Sequence, residues 1–359
     1  MKRLIFLFGS CILFLNCKNA DKKEDNPMPE QVYIIQEKPS DIETPEGMVW
    51  IPGGIFQQGA VANDKMAMPH EKPANWVFVD GFYMDITEVT NEDYEKFIAA
   101  TGYVTVAERT LDWEEIKKQV PPGTPKPHDS ILQPGSLLFN KPKRKIDNLH
   151  DYSQWWVWKV GANWRQPEGP GSSIEGKENY PVVHIAFEDA TAYCEWAGRR
   201  LPTEAEWEFA AKGGLEDAKY FWGNDDSILP EMANTWNGDF PNENSKADGF
   251  ERSAPVSSFP PNNYGLFDMA GNVWEFTSDW YSENYYMIDS GREILNNPVG
   301  PDQPGNASIP AKVIKGVSFL CHASYCASYR VSARMFNTLD SSQEHLGFRT
   351  VATPKILRK

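Results

Sequence analysis

The sequence predicts one α+β domain with little regular secondary structure, preceded by an export signal and a polar tether. Of its 359 residues, 27 are Pro and 26 are Gly without periodic spacing, which indicates many turns. The aromatic fraction is 13%, with 13 Trp, and this excludes a disordered or collagen-like chain. The helical patterns are few, and we find neither a tandem repeat nor a regular alternation of strands and helices.

The first segment has the order of an export signal. Lys2 and Arg3 precede the largely apolar segment 4–15, which is too short to span a bilayer. Cys17 follows, and the chain then becomes polar at once. This order is typical of a bacterial lipoprotein, with residues 1–17 as the signal peptide and Cys17 as the acylated residue. Cys11 is a competing acylation site, and a plain cleaved signal is the other alternative.

Every version of this signal places the protein outside the cytosol. We expect an exported, membrane-anchored lipoprotein on the periplasmic or cell-surface side of a bacterium. Residues 18–44 are polar and contain three prolines, which predicts a flexible tether. The folded domain is predicted at 45–355. It begins with a short strand within 46–54, and residues 77–85 predict two strands paired around a turn.

Three helices are predicted in the domain. The first runs between Thr90 and Gly102, and the second runs from Phe187 to Trp196. The third begins at Thr203, which has capping-box spacing to Glu206, and it ends at the glycines 213–214.

The rest of the domain has weaker patterns. Residues 105–180 are rich in Trp and Pro and are predicted to form an irregular excursion over the surface of the core. The chain after residue 215 is predicted to be mostly loops and short strands.

The net charge of the chain indicates which classes of partner it can bind. The formal net charge is −15, whereas a nucleic-acid partner requires clustered Lys and Arg. We therefore predict no nucleic-acid partner. An acidic chain also suits divalent cations, although a solvated acidic surface is the simpler explanation of the charge.

Beyond the signal, the cysteines are Cys194, Cys321 and Cys326, and three cysteines cannot all pair within one chain. The spacing of Cys321 and Cys326 alone favours an ordinary disulfide, which is common in exported proteins. Zinc is disfavoured, because it takes four nitrogen or sulfur ligands and only His322 is near.

Several motifs together resemble the formylglycine-generating enzyme (sulfatase-modifying factor) superfamily. They lie at residues 181–184, 193–208, 265–277, 318–326 and 346–349, and the similarity covers nearly all of the predicted domain. The resemblance implies a compact fold related to C-type lectins, with few strands and much ordered loop. It is less specific for chemistry, because the superfamily includes members with other activities or none.

The resemblance also implies an activity. Cys321 and Cys326 would hold one Cu(I) ion, and O2 would oxidise a client cysteine to Cα-formylglycine, with Ser318 near the reacting thiol. The clients would be sulfatases with a Cys-x-Pro-x-Arg stretch. With the resemblance, a metal-binding or redox-active pair is favoured over a permanent disulfide, although the pair could form a disulfide when the metal is absent.

Further site residues follow from the same resemblance. Trp274, Arg334 and Arg349 would line or brace the client groove, His322 and Tyr325 would lie beside the cysteines, and His345 stands where some members use an asparagine. Each has a structural alternative, either core packing or a salt bridge.

Two calcium sites are implied as well, and mixed carboxylate, amide and backbone oxygens suit Ca2+. The first set is Asn234, Thr235, Asp248 and Phe250, and the second set is Asp268, Gly271, Val273 and Glu275. The alternative is that these acidic residues only form turns.

Two departures from the family pattern concern packing. Val317 stands where a second glycine is expected before Ser318, so the backbone there is stiffer. Thr350 stands where some secreted relatives have a cysteine, which leaves Cys194 without that partner.

The leading hypothesis is therefore a copper-dependent oxidase of a client sulfatase. A non-catalytic scaffold lipoprotein in a gliding or secretion assembly is the alternative, and oxidation of a small thiol is a third possibility.

Overall fold

A computed structural model describes residues 36–359, apart from residues 119, 130, 131, 292 and 293. The predicted signal peptide, with Cys11 and Cys17, and most of the predicted tether lie outside the described residues. Within the described part, no helix combines the length and apolar character needed to cross a bilayer.

The described residues form short strands and short helices joined by ordered loops. The strands in chain order are β1 (Met48–Ile51), β2 (Gly54–Gln58), β3 (Asn75–Val79), β4 (Phe82–Asp85), β5 (Gly135–Phe139), β6 (Trp156–Val160), β7 (Gly238–Asp239), β8 (Glu243–Asn244), β9 (Trp274–Trp280), β10 (Leu295–Asn296), β11 (Ala311–Lys315), β12 (Met335–Thr338), β13 (Leu346–Gly347) and β14 (Val351–Ala352). The helices are α1 (Asn91–Thr101), α2 (Trp113–Ile116), α3 (Phe187–Trp196), α4 (Glu204–Lys212), α5 (Leu229–Met232), α6 (Tyr285–Ile288) and α7 (Pro354–Leu357), with 3₁₀ turns at Pro69–Glu71, Val106–Glu108 and Tyr152–Gln154.

The strands group into small sheets. One sheet has the order β1-β4-β14, a second β10-β3-β2 and a third β12-β11-β9-β13, while β5-β6 and β7-β8 are separate antiparallel pairs. In the third sheet, β13 runs parallel to β9, and the other neighbours are antiparallel. This mixed, fragmented sheet structure confirms the predicted α+β fold with little regular secondary structure.

The prediction for residues 77–85 was wrong in its pairing. Both segments are strands, but β3 pairs with β2 and β10, while β4 pairs with β1 and β14. Val77, Val79, Phe82 and Met84 are all fully buried. The chain therefore passes from one core sheet to the next instead of folding back on itself.

The three predicted helices are confirmed, and the first and third begin at the predicted caps. Thr90 accepts a hydrogen bond from the Asp93 amide at 3.2 Å, and Gly102 ends α1 with φ 66°. At α4, Thr203 accepts from the Glu206 amide at 3.1 Å and Glu206 accepts from the Thr203 amide at 2.8 Å. This reciprocal pair satisfies two amides that the first turn leaves without partners.

The segment 105–180 is not the loose surface excursion that the sequence predicted. It contains the β5–β6 hairpin, and Trp155 and Trp164 within it are fully buried. Leu137 of β5 and Trp156 of β6 face the cavity described below. The segment therefore builds part of the candidate site.

Helix α4 is buried along its whole length, charged residues included. Its glutamates are neutralised by basic side chains from distant segments: Glu204 pairs with Arg334 at 2.6 Å and Glu208 pairs with Lys315 at 2.9 Å. Arg349 and Glu275 form a comparable buried pair at 2.7 Å. We call these three pairs the ion-pair frame. Because a buried charge is costly without its partner, the frame ties α4 to the third sheet and to the C-terminal segment.

Candidate active site

Both members of the predicted cysteine pair line one cavity of about 490 Å³, which we call the cysteine cavity. Its walls come from the β5–β6 hairpin, from β9, β11 and β12, and from the loops around them. Its lining comprises Leu137, Tyr152, Trp156, Trp274, Ile314, Ser318, Leu320, Cys321, Tyr325, Cys326, Met335, Phe336, Asn337, Gln343 and His345. No Asp, Glu, Lys or Arg contributes to it, so the cavity is uncharged apart from what the histidine carries.

Cys321 and Cys326 are joined by a disulfide, with their Cα atoms 5.8 Å apart. Cys321 is buried and Cys326 is half-buried. The Ser328 amide donates a hydrogen bond to Cys321 Sγ at 3.2 Å, and the His322 carbonyl accepts from the Tyr325 and Cys326 amides at 2.9 and 3.0 Å. This turn brings two residues five apart in the chain together at the cavity.

The donor chemistry of this pair fits a soft monovalent ion once the disulfide is reduced. Two thiolates side by side suit Cu(I), whereas a zinc ion needs further nitrogen or sulfur ligands. In the described part of the chain, no three His, Cys, Asp or Glu side chains converge into such a set. The disulfide is the alternative that the cysteine spacing alone favoured, and the copper assignment stays a prediction.

A chain of hydrogen bonds, which we call the relay, connects Asn337, Gln343, His345 and Ser318 in the cavity lining. Backbone carbonyls at one end fix which atom of each side chain donates and which accepts. Asn337 Nδ2 donates to the Thr338 and Ser341 carbonyls at 3.0 and 2.7 Å, so Asn337 Oδ1 is an acceptor. Gln343 Nε2 donates to that oxygen at 2.7 Å. Gln343 Oε1 therefore points to the next member of the relay, His345, as an acceptor.

The relay ends at Ser318. His345 Nε2 lies 2.7 Å from Gln343 Oε1, and His345 Nδ1 lies 2.8 Å from Ser318 Oγ. Because Gln343 Oε1 can only accept, Nε2 carries the proton and Nδ1 accepts from the Ser318 hydroxyl. Burial and the neighbouring His184 lower the pKa of His345 to about 3. The imidazole is therefore neutral near pH 7. The Leu320 amide donates to Ser318 Oγ at 3.3 Å, so one lone pair of that oxygen is left available.

Aromatic side chains form the remaining walls. Trp274 and Tyr325 both line the cavity, as the sequence predicted for residues at the client groove. Tyr325 stacks on Phe240 with ring centroids 4.4 Å apart, and Trp156 lies 4.9 Å from the His345 ring. These contacts hold the rings in fixed positions around the cysteines.

Three further predicted site residues lie outside the cavity lining. Arg334 and Arg349 are almost completely buried in the ion-pair frame, so they brace the site without lining it. His322 is half-buried in the turn between the cysteines and bonds Ser324 through Nδ1 at 2.8 Å. None of the three belongs to the cavity lining.

Val317 adopts the backbone conformation that the family pattern assigns to glycine. Its φ is 68°, which is strained for a β-branched residue, and its side chain is fully buried. Contacts with the core therefore compensate for this strain directly before Ser318.

The second predicted calcium set lies in a buried acidic cluster. Glu275 accepts from Arg349 through both carboxylate oxygens, at 2.7 Å each. Glu88 Oε2 is buried without a hydrogen-bond partner, and burial followed by the Asp268 charge raises the Glu88 pKa well above its ordinary value. Burial also raises the pKa of Asp268 to about 6. Three carboxyl groups thus surround one guanidinium with more negative than positive charge, although among the described residues they do not converge closely enough to form a three-ligand metal group.

The sequence reasoning missed Glu88 in this cluster, because one glutamate between two β-branched residues carries no local signal. The cluster also depends on contacts between distant segments, such as the hydrogen bond of 3.1 Å from Asn272 to Glu88. The fit to a cation therefore rests on an orphaned oxygen and excess negative charge.

The first predicted calcium set is also brought together by folding. Asp248 accepts from the Thr235 and Phe250 amides at 2.9 and 3.0 Å, and Asn234 Nδ2 donates to the Arg252 carbonyl at 2.9 Å. The Thr235 hydroxyl is buried without a partner. With one carboxylate, this set has less charge to offer a cation than the second set.

Cys194 lies outside the cysteine cavity as a buried free thiol, and burial raises its pKa far above the ordinary value. Thr350, in the place of the cysteine that some relatives have, donates to Asp85 at 2.6 Å. The thiol is therefore a packed side chain, not a reactive one.

Comparison with known proteins agrees with this architecture. The model of the sulfatase-modifying factor enzyme 1-like domain matches residues 35–354. The chain is 44% identical to the formylglycine-generating enzyme of Thermomonospora curvata over 331 residues, covering 91% of this chain and 100% of that protein. It is 45% identical to the mouse enzyme of the same name over 308 residues, covering 85% and 74%.

Two further likenesses limit what can be transferred. The mouse protein called inactive Cα-formylglycine-generating enzyme 2 is 40% identical over 310 residues, covering 85% of each chain. The solved structure of PvdO from Pseudomonas aeruginosa superposes with a TM-score of 0.55 at 21% identity, covering 85% of this chain and 94% of that one, which shows the fold alone. On the matched domain and the relatives together, this chain belongs to the sulfatase-modifying factor family, whose fold is that of the formylglycine-generating enzymes.

Proposed function

We propose that this protein oxidises a cysteine of a client sulfatase, within a Cys-x-Pro-x-Arg stretch, to Cα-formylglycine with O2 and Cu(I). The observation that carries the proposal is the position of Cys321 and Cys326 together in an uncharged cavity, with Ser318 in the same lining. The names of the relatives at 44 and 45% identity support the reaction class. The copper and the oxidant are parts of the proposal that the donor chemistry supports.

The overall reaction balances with molecular oxygen and an external thiol reductant. The CH2–SH side chain of the client cysteine reacts with one molecule of oxygen, two electrons and two protons. The products are an aldehyde, one hydrogen sulfide and one water. The carbon–sulfur bond breaks, a carbon–oxygen double bond forms, and oxygen is the species reduced. The two electrons come from the added thiol, which becomes a disulfide.

Within this reaction, the chain's own residues bind, orient and exclude water. Reduced Cys321 and Cys326 would hold Cu(I), which supplies the activation of O2. The Ser328 amide hydrogen bond to Cys321 Sγ favours the thiolate form of that sulfur. The Ser318 hydroxyl donates a hydrogen bond to His345 Nδ1 and accepts one from the Leu320 amide, and its remaining lone pair can accept a hydrogen bond from the client thiol.

The test uses purified, reduced protein loaded with Cu(I), a Cys-Thr-Pro-Ser-Arg peptide, a thiol reductant and air, with mass spectrometry of the peptide. We expect an aldehyde product from the wild type and at least a thousandfold slower production by Cys321→Ala. Cys194→Ala is the matched control, because that thiol is buried away from the cavity, and it should keep the activity. Absence of the aldehyde, or equal product from Cys321→Ala, would refute the oxidase.

We propose further that Ca2+ stabilises the loops at the two acidic sets. The orphaned Glu88 oxygen and the excess of carboxylates around Arg349 support the second site, and the convergence of Asp248 on Thr235 and Phe250 supports the first. Removal of divalent ions with a chelator should lower the melting temperature, and added Ca2+ should restore it. A Glu88→Gln variant should lose part of this response, whereas an unchanged melting temperature in the wild type would exclude both sites.

Export and lipid anchoring through Cys17 complete the proposal, and the order of basic, apolar and cysteine residues supports them. An anchored oxidase would have to meet its clients as they emerge from the export channel. Metabolic labelling with a radioactive fatty acid should mark the wild type and leave Cys17→Ser unmarked. Labelling that depends on Cys11 instead would move the anchor to that residue.

A scaffold without catalysis is the competing proposal. The disulfide between Cys321 and Cys326 favours it, because this form holds no free thiolate for copper, and one relative is called inactive. The copper content of the reduced protein separates the two proposals. One copper per chain that depends on both cysteines supports the oxidase, whereas none supports the scaffold.

A further inference from the structure

The mouth of the cysteine cavity carries exposed apolar side chains on an outer strand. Met335 and Phe336 of β12 are 38% and 46% exposed, and both also line the cavity. Strand β12 pairs with β11 on one side and has no strand of the described residues on the other. Soluble proteins protect such edges with charge, Pro or a covering segment. The exposed apolar edge at this place therefore indicates a surface that a binding partner covers.

The exposed ring of Phe336 rests on a rigid support. It stacks on Tyr281 with centroids 4.9 Å apart and planes at 36°. The guanidinium carbon of Arg334 lies 5.1 Å from the centre of the Tyr281 ring, and Arg334 is itself held by two hydrogen bonds of 2.6 and 2.8 Å to Glu204. The ring is thus fixed before any ligand arrives, which lowers the entropy lost on binding.

The arginine next to this rim is already neutralised within the protein, whereas the exposed carboxylate of Glu283 is near enough to Tyr281 to raise the pKa of its phenol, after burial as the first cause. Arg334 is satisfied by Glu204, and the cavity lining contributes no carboxylate or ammonium group. An anionic ligand side chain would therefore lose its water without gaining a partner. An apolar or aromatic side chain would instead bury the exposed faces of Met335 and Phe336.

We propose that Met335, Phe336 and Tyr281, together the β12 rim, form a specificity subsite for the client polypeptide. The rim binds an apolar or aromatic side chain close to the oxidised cysteine. The inference rests on the proposed function, because it takes the occupant of the cavity to be a polypeptide that presents a cysteine. Continuity carries the assignment: Phe336 belongs both to the cavity lining and to the exposed edge, so a chain that leaves the cavity on this side runs along it. An extended chain advances about 3.3 Å per residue, which places the subsite within a few residues of the cysteine.

The test compares peptides that differ at one flanking position at a time. Each peptide contains Ser in place of the reacting Cys, so that binding is measured by calorimetry without turnover, and each flanking position carries Phe, Ser or Glu in turn. At one position or more we expect the wild type to bind the Phe peptide at least fivefold more tightly than the Ser peptide. Phe336→Gln should reduce this preference to less than twofold.

The matched control is Ile288→Gln, because Ile288 is 68% exposed and lies outside the cavity lining. It should keep the wild-type preference. Equal preferences in the wild type and Phe336→Gln, or no binding of any peptide, would overturn the subsite. A change from dimer to monomer on Phe336→Gln in size-exclusion chromatography would overturn it too, since the rim would then bind a second copy of the chain.

The Cys-containing forms of the same peptides separate the two proposals. Failure of the oxidase appears as absence of aldehyde from every peptide, whatever their affinities. Failure of the subsite appears as aldehyde production whose KM is insensitive to Phe336. If both hold, the substitution should raise the KM of the Phe peptide at least fivefold more than it raises the KM of the Ser peptide.

Discussion

The ion-pair frame and the cysteine cavity are adjacent in the fold and opposite in character. The frame buries three carboxylates against three cations. The cavity lining holds sulfur, aromatic rings, amides, a hydroxyl and a neutral imidazole. The contrast shows that charge in this protein builds the scaffold and is kept out of the place where a thiol would react.

The two regions are connected at several points along the chain. Arg334 of the frame directly precedes Met335 and Phe336 of the rim, and Glu275 follows the cavity residue Trp274 within β9. Trp274 and Glu275 are neighbours within one strand and point to opposite faces, so this backbone segment serves both regions. Fixing the charged face therefore also fixes the neutral one.

The largest expected effect comes from breaking the frame. Arg349→Met should lower the free energy of unfolding by about 3–5 kcal/mol, because Glu275 would remain buried without its cation. Urea unfolding measures this loss. The double variant Arg349→Met with Glu275→Gln should recover part of it, since the uncompensated charge is then removed. A loss of stability in the single variant no greater than that of a surface substitution would show that the frame is not what holds the site.

The second prediction tests whether the buried histidines on the cavity side are neutral in the folded protein, through the pH dependence of the free energy of unfolding. Burial lowers the pKa of His184 to about 4 and that of His345 to about 3, whereas an unfolded histidine titrates near 6.5. Protonation thus favours the unfolded chain, and stability is lost as the pH falls from about 6.5 toward these folded values. We expect each histidine to remove about 2 kcal/mol between pH 6.5 and 4.5.

Urea unfolding at several pH values checks this expectation. His345→Asn should flatten the acid side of the stability profile relative to the wild type, because the contribution of one of the two buried histidines is gone. A variant that keeps the wild-type slope would show that His345 is not held neutral in the fold.

Sequence reasoning succeeded where the signal is local. The caps at Thr90 and Thr203 and the bounds of α3 depend on residues within one or two helical turns, and the structure agrees with them. The cysteine pair is also local, because five residues in one turn bring Cys321 and Cys326 together.

The misses involve contacts between residues far apart in the chain. The β5–β6 hairpin became part of the cavity because Trp156 packs on His345, and neither segment alone indicates that contact. The relay from Asn337 to Ser318 needed hydrogen-bond directions that no spacing encodes. Residues 201–208, a dense part of the recognised motif, proved to be scaffold, since their glutamates are buried in α4. A motif therefore indicated the family more sharply than it indicated the residues of the site.

The third effect tests the relay within the neutral region. Ser318→Ala removes the hydroxyl that His345 Nδ1 accepts from, and it leaves a buried acceptor without a donor. We expect kcat/KM for the peptide to fall about tenfold, or ~1.4 kcal/mol of transition-state stabilisation, with copper binding by the reduced cysteines unchanged. A variant with wild-type kinetics would show that Ser318 only fills space.

The smallest effect is expected at an exposed ion pair, which serves as the control for the buried pairs of the frame. Arg358 pairs with Asp41 at 2.9 Å, as close as the pairs of the frame, but both side chains are more than half exposed. Arg358→Met makes the same chemical change as Arg349→Met, and it should leave the urea midpoint unchanged within error, because water already solvates both charges and salt screens them. A large loss from Arg358→Met would mean that pairing distance sets the energy in this protein. No loss there together with a large loss from Arg349→Met would mean that burial sets it.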